Sequence, residues 1–146
     1  IDFAKQILLG VLNMSCENLI IKMLGLQNVL IADIKETENS INIYLFSKPK
    51  PTKCPHCSGI TSHVHDYRLQ VIKDIPYANK HIYLYLKKLR YHCPHCKKHF
   101  YENYDFIPKY HRITSKVFSS IIHCCRDKQS FKDIAVKHNV PKQYSY

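Results

Sequence analysis

Acid is short in this chain: 11 Asp and Glu stand against 22 Lys and Arg, a formal charge of +11 with the 10 histidines neutral. That shortage points to a polyanionic partner, of which nucleic acid is the commonest. A bilayer-spanning run is also missing. The N-terminal "ILLGVL" is too short to cross, has no basic region before it and no small-residue cleavage site after it. The cytoplasm is therefore the expected compartment, with no membrane among the partners. An even cysteine count is absent too: seven cysteines fit poorly with a closed disulfide set and suit a compartment where thiols stay reduced. No low-complexity tract occurs, and no repeat beyond one four-residue motif. The chain opens on Ile1 and not on Met; Met14 begins "MSCENLIIKMLGL", a reasonable native start, so residues 1–13 are read as upstream translation or part of a longer parent.

The charge is uneven. Residues 1–46 hold Lys5, Lys22 and Lys35 against Asp2, Glu17, Asp33, Glu36 and Glu38, so the whole positive excess lies in residues 47–146. The first section has helical periodicity at Phe3, Ile7, Leu8 and Val11. A second helix follows, capped by Ser15, with Leu19, Ile20, Met23 and Leu24 as its buried stripe and Gly25 as its stop. "NVLIADIKETENSINIYLF" predicts two strands around the polar turn Glu36–Ser40. A Pro- and Lys-rich connector, residues 47–53, leads into strand-like sequence over 54–102. There "DYRLQVIKDI" is expected to stop at Pro76, and "HIYLYLKKLRYH" places Ile82, Leu84 and Leu86 on one face with Tyr83 and Tyr85 on the other. From Thr114 or Ser115, as cap, the period turns helical, with Val117, Phe118, Ile121, Ile122 and Cys125 on the buried face; Cys124 and Cys125 then read as core residues and not ligands.

The motif that recurs is "CPHC", at Cys54–Cys57 and Cys93–Cys96. A redox CxxC sits at a helix N-terminus, where the dipole lowers a thiol pKa. Here the first pair runs into Ser58-Gly59 and the second into Lys97-Lys98-His99-Phe100, and neither opens an amphipathic helix. Two CxxC knuckles instead suit one tetrahedral Zn²⁺, each presenting two thiolates about 3.5–4 Å apart. Gly59 is expected to supply the backbone freedom of the first knuckle. His56 and His95 lie inside the knuckles and point away from the metal; His63, His65, His92 and His99 read as surface, phosphate-facing or packing residues. One structural zinc also answers a stability problem. Residues 47–113 are few and highly charged, and a structural zinc site contributes on the order of 10–16 kcal/mol of apparent folding free energy. Lys97 and Lys98 partly offset the net negative charge of four thiolates.

In their order, several pieces resemble the N-terminal region of bacterial insertion-sequence transposases of the ISL-three family. They are the first CxxC, "VHDYR" (Val64–Arg68), "IKDIP" (Ile72–Pro76), the strand into "LRYHC" (Leu89–Cys93), then "FYE" (Phe100–Glu102) and "RIT" (Arg112–Thr114). Residues 1–46 match only loosely. The resemblance implies a zinc finger, a helix-turn-helix and a downstream DDE catalytic domain. The tail "SFKDIAVKHNVPKQYSY" agrees: Ser130 caps a helix, Phe131, Ile134 and Ala135 face inward, Asn139 takes the turn, Val140 plugs the core, and Pro141 opens the next helix. Only Pro141–Tyr146 remain where a recognition helix should run, so weak discrimination between DNA sequences is expected.

The expected fold class is α+β: an N-terminal helical and β-hairpin segment (1–46), a zinc-ribbon-like DNA-binding module (47–113) and a truncated helix-turn-helix (114–146). The expected zinc ligands are Cys54, Cys57, Cys93 and Cys96. The expected contacts to double-stranded DNA are Lys80, Lys87, Lys88, Arg90, Lys97, Lys98, Lys109, Arg112, Lys116 and Lys142. Each of these lysines also suits a solvated strand edge, where lysine deters pairing. The resemblance implies the transposon's terminal inverted repeats as the DNA, and a homodimer in the full-length parent. No enzymatic activity is expected of this stretch itself: Asp66, Asp74, Asp105, Asp127 and Asp133 read as solvated or strand-end residues, not a metal-binding triad. Two other functions fit the motifs: a stand-alone zinc-dependent transcription regulator and a CPHC dithiol oxidoreductase.

Overall fold

The structure is a computed structural model, and it describes residues 16–140. The helix through Phe3, Ile7, Leu8 and Val11, the Ser15 cap, Pro141 and Lys142 lie outside the described residues. The architecture is α+β. A helix covers residues 16–24 (α1), followed by strands β1 (Leu30–Glu36), β2 (Ser40–Phe46), β3 (Thr52–Lys53), β4 (Ile60–Thr61), β5 (Val64–Tyr77), β6 (Lys80–His92) and β7 (His99–Tyr101). Helices α2 (Ser115–Arg126) and α3 (Phe131–His138) complete it.

Gly25 ends α1 at φ +65°, and the two bonds of a Schellman turn form around it: Gly25 N–H to Lys22 O at 3.2 Å and Leu26 N–H to Ile21 O at 3.0 Å. The buried stripe differs from the expected one. Leu19 and Met23 are 57% and 68% exposed, while Ile20, Ile21 and Leu24 pack against the core. Rotating the face by a fraction of a turn lets Leu26 and Val29 enter the core behind them.

β1 and β2 pair antiparallel around the expected turn, and β2 then joins β6 in parallel, so one sheet runs β1-β2-β6-β5 with β7 on β6. The sheet thus crosses from the N-terminal section into the zinc section. β5 does not stop at Pro76: it continues to Tyr77, with an irregularity between Asp74 and Tyr77 that leaves the proline unpaired. A two-residue turn, Ala78-Asn79, both at positive φ, returns the chain into β6.

The long strand β6 buries opposite faces in its two halves. Ile82, Leu84 and Leu86 enter the main core with Ile43, Leu45, Ile72, Tyr104 and Phe106. After Lys87 the buried positions become Leu89, Tyr91 and Cys93, which belong to a second core with Cys54 and Phe100. One strand therefore carries two cores back to back, and the zinc section sits on the face opposite α1.

The helical pair is tied to the edge of β5. Lys73 N–H donates to Arg112 O and Thr114 N–H to Lys73 O, each at 3.0 Å. Thr114 caps α2, and its hydroxyl donates to Asp74 Oδ1 at 2.8 Å. Val117, Ile121 and Cys124 are the buried positions of α2, not Phe118 or Ile122, which stay partly exposed. Ser130 caps α3 as expected, Asn139 is left-handed at φ 52°, and Val140 is buried. Of the three inward residues expected on α3, Ile134 is buried while Phe131 is exposed; His138 takes a place in the interior instead. Its Nδ1–H donates to Ile134 O at 3.0 Å and its Nε2 accepts from the Ser120 hydroxyl at 2.8 Å.

Candidate metal centre and its basic surroundings

Two local turns of the same design bring the thiols together. In the first, Cys54 N–H donates to Gly59 O and Ser58 N–H to Cys54 O; in the second, Cys93 N–H donates to Lys98 O and Lys97 N–H to Cys93 O, all between 2.8 and 3.0 Å. The left-handed residue is Ser58 (φ 64°) in one and Lys97 (φ 59°) in the other. Gly59 is needed for a different reason from the one expected: a Cβ there would stand 2.7 Å from His95 Cδ2 and 3.3 Å from Cys57 Sγ. Close approach of the two knuckles, not a positive φ, calls for glycine.

The knuckles are locked to each other by Thr61 Oγ1 donating to His92 O at 2.8 Å and His92 N–H donating to His63 O at 2.9 Å. The Sγ atoms of Cys54, Cys57, Cys93 and Cys96 then lie within 4.8 Å of one another. The pairs across the knuckles stand at 3.7 Å (Cys54–Cys96) and 3.5 Å (Cys57–Cys93). Four sulfurs about 2.3 Å from a tetrahedral zinc are separated by about 3.8 Å, so the residues fit one ion. Cys54 and Cys93 are buried, Cys96 is half-buried and Cys57 is exposed, which gives a closed structural site with one rim at the surface.

The thiols' own chemistry asks for a cation. The N–H groups of Cys96 and then His95 hold the Cys93 thiol down at about 6. At Cys57 the Gly59 N–H pulls the pKa down, but crowding by Cys93, Cys96 and Cys54 prevails and pushes it up to about 11. Without a cation the cluster accepts one negative charge and resists the next; a divalent ion removes that repulsion. His56, His63, His65, His92, His95 and His99 stay outside the cluster. Each knuckle has a sulfur within 3.7 Å of one on the other knuckle, all four lie together, and neither CPHC opens a helix. That geometry suits a metal clamp and not a dithiol switch.

The expected DNA-contacting cations stand in different local settings. Three are engaged with the chain's own acids: Lys80 with Glu36, Arg90 with Asp66 through two hydrogen bonds, and Lys116 with Asp74 at 3.3 Å. Asp74 is buried, not solvated, and takes Thr114 and Lys116 together. Lys87 lies 3.9 Å from the Tyr67 ring centroid and Lys109 5.1 Å from that of Tyr110. Lys97 and Lys98 stand in the second knuckle.

The sheet face opposite α1 carries Tyr83, Tyr85 and Lys87 from β6, with Tyr44 stacked on Tyr85 at 4.8 Å between centroids. Tyr67, Leu69 and Val71 of β5 lie on the same face and are exposed. At one end it meets the thiol cluster; at the other, Asn139 Nδ2 donates to Tyr83 OH at 2.8 Å and Lys73 Nζ to Asn139 O at 2.7 Å. Arg68, absent from the expected set, is exposed and has no acidic partner among the described residues. The pairing that reveals its setting, Arg68 opposite Lys88, depends on strand register and is invisible in linear order.

No helix among the described residues is long and apolar enough to cross a membrane. A family model, the zinc-finger of transposase IS204/IS1001/IS1096/IS1165, matches residues 50–96, a span that contains all four clustered cysteines. It supports an ISL-three-type transposase zinc-finger region there. No curated protein and no solved structure matches.

Proposed function

We propose that this chain is the DNA-binding N-terminal part of an insertion-sequence transposase. It would hold the element's terminal inverted repeats while cutting and joining belong to a DDE catalytic domain. The observation that carries this reading is the convergence of four thiols inside the segment that matches a transposase zinc finger. When bound, zinc would supply no reaction; held by Cys54, Cys57, Cys93 and Cys96, it would fix two knuckles and the ends of β6 and β7 as one rigid body.

The protein's own residues do the rest. Of the expected contacts, Lys87, Lys88, Lys97, Lys98, Lys109 and Arg112 have no acidic partner among the described residues, and with Arg68 they are available to phosphate. Such contacts set affinity and salt dependence, while base contacts choose sequence. α2 and α3, with their Thr114 and Ser130 caps, are read as the opening helices of a helix-turn-helix, anchored to the sheet through Asp74 and Asn139. The acids Asp66 and Asp74 hold Arg90 and Lys116 within the fold.

Fluorescence anisotropy with the zinc-loaded chain, a labelled inverted-repeat duplex and a scrambled one tests the proposal. With about six phosphates engaged, raising salt from 50 to 200 mM should weaken binding on the order of a thousandfold. A few-fold preference for the repeat is expected. No binding, or salt-insensitive binding, rejects the DNA role; equal affinity for both duplexes contradicts a part in choosing the element's ends.

A further inference from the structure

On the α1 side of the sheet, beyond the last core residue Leu86, two cations face each other across the strands: Arg68 of β5 is the register partner of Lys88 of β6. Like charges directly opposite in an antiparallel pair destabilise it. The nearest carboxylate on that face, Asp66, is taken by Arg90, with Nε to Oδ1 at 2.7 Å and a second bond from the other guanidinium nitrogen. Neither Arg68 nor Lys88 has an acidic partner among the described residues. Lys88 is half-buried, and its ammonium is held below the usual lysine range first by loss of water and then by Arg68.

Two further features complete the setting. The Tyr101 ring lies beside these groups, 5.5 Å from Lys88 Nζ and 5.9 Å from Arg90 Cζ. Around the outer edge of β5 a mostly polar cleft of about 240 Å³ is lined by Arg68, Leu69, Gln70, Val71 and Arg112, with no acid on its wall. Arg68 therefore stands between Lys88 on one side and Arg112 on the other. Three cations without counter-charge, one of them partly desolvated, are retained at a place where a folded chain would gain by losing them.

We propose that Arg68, with Lys88 and Arg112 on either side, forms a seat for one phosphate group of a nucleic-acid backbone. This rests on the DNA-binding reading and makes it specific: the phosphate contact is centred on a residue outside the zinc ribbon's basic knuckle, at the edge of β5 beside the segment that leads into α2. An anion there relieves the Arg68–Lys88 repulsion and accepts from a guanidinium in the forked geometry that suits phosphate.

The test uses the zinc-loaded full chain, its Arg68→Gln and Lys88→Met variants, and Lys22→Met on α1 as control. Both seat variants keep the aliphatic part of the side chain and remove repulsion, so they are expected to fold. In thermal melts at constant ionic strength, replacing chloride with inorganic phosphate should raise the midpoint of the wild type and of Lys22→Met. That rise should be lost in Arg68→Gln and Lys88→Met. In duplex titrations, each seat variant should lower the salt slope by about one, with the control unchanged. Variants that retain both the phosphate rise and the wild-type slope overturn the seat, even while the wild type binds duplex. A wild type that ignores duplex but shows the phosphate rise, lost in both variants, keeps the seat and overturns the DNA reading instead.

Discussion

Asp74 shows how one side chain carries more than its exposure in sequence suggests. Its carboxylate accepts from Thr114 Oγ1 and from the Ile75 N–H at 2.8 Å each, with Lys116 at 3.3 Å, and it is almost fully buried. Asp74→Ala removes the anchor of α2 and leaves Thr114 without its acceptor. Urea titration should show a loss of about 2–3 kcal/mol, the scale of a buried hydrogen bond to a charged group plus a half-exposed ion pair. A loss below about 0.5 kcal/mol would show that the helices do not depend on it. Gly59→Ala acts on the metal site: its methyl presses on the His95 ring and Cys57 Sγ. Zinc competition against a chromogenic chelator should show affinity reduced about tenfold; unchanged affinity would mean that the knuckles can part at no cost. His99 tests the corner beside them. Crowding that strips water from its ring, then His65, His92 and Arg90, hold its pKa below the ordinary value. The folded chain binds that proton less readily than the unfolded one, so stability is lost as pH falls through the unfolded value of about 6.5. In thermal melts the wild type should lose stability relative to His99→Gln as pH falls from 7.5 to 5.5; parallel pH profiles would contradict this.

At the scale of elements, the β5–β6 turn holds a correctable strain. Ala78 sits at φ 50°, where a Cβ is costly, beside Asn79 at φ 61°, which tolerates it. Ala78→Gly should raise stability by about 0.5–1 kcal/mol in urea titration; a loss would mean that the turn is not of this type. The β1–β2 hairpin, both helix caps and the left-handed Asn139 were all legible from local sequence, because hydrogen bonds within a few residues determine them. Local periodicity placed the right elements but misjudged which side of α1 and α2 is buried. Leu19 and Phe118 are as apolar as their buried neighbours, and only the position of the sheet decides between them. The same holds for β6. Alternation identified Ile82, Leu84 and Leu86 as one face, but not that Leu89 and Tyr91 would be buried on the other, since the second core exists only once the knuckles fold onto it.

For the whole molecule, the four cysteine ligands were readable because spacing alone restricts what two CxxC pairs can do, whereas the ion pairs of the basic residues were not. Which lysines are free depends on Glu36, Asp66 and Asp74, brought to them over 24 to 44 residues by strand register and helix docking. The two cores also separate the molecule's dependence on metal. The one beneath the thiols contains Cys54, Leu89, Tyr91, Cys93 and Phe100, two of them ligands themselves, while the main core is built without any cysteine. Chelation should therefore release hydrogen-exchange protection over residues 52–63 and 93–100 and leave Ile43, Ile72 and Leu84 protected. The central claim, that one ion gathers four sulfurs from two distant knuckles, is tested most directly by X-ray absorption of the protein purified without added metal. The account predicts one zinc per chain with four sulfurs at about 2.3 Å. A first shell with fewer than four sulfurs, or cysteines found oxidised in pairs with no metal present, would contradict it.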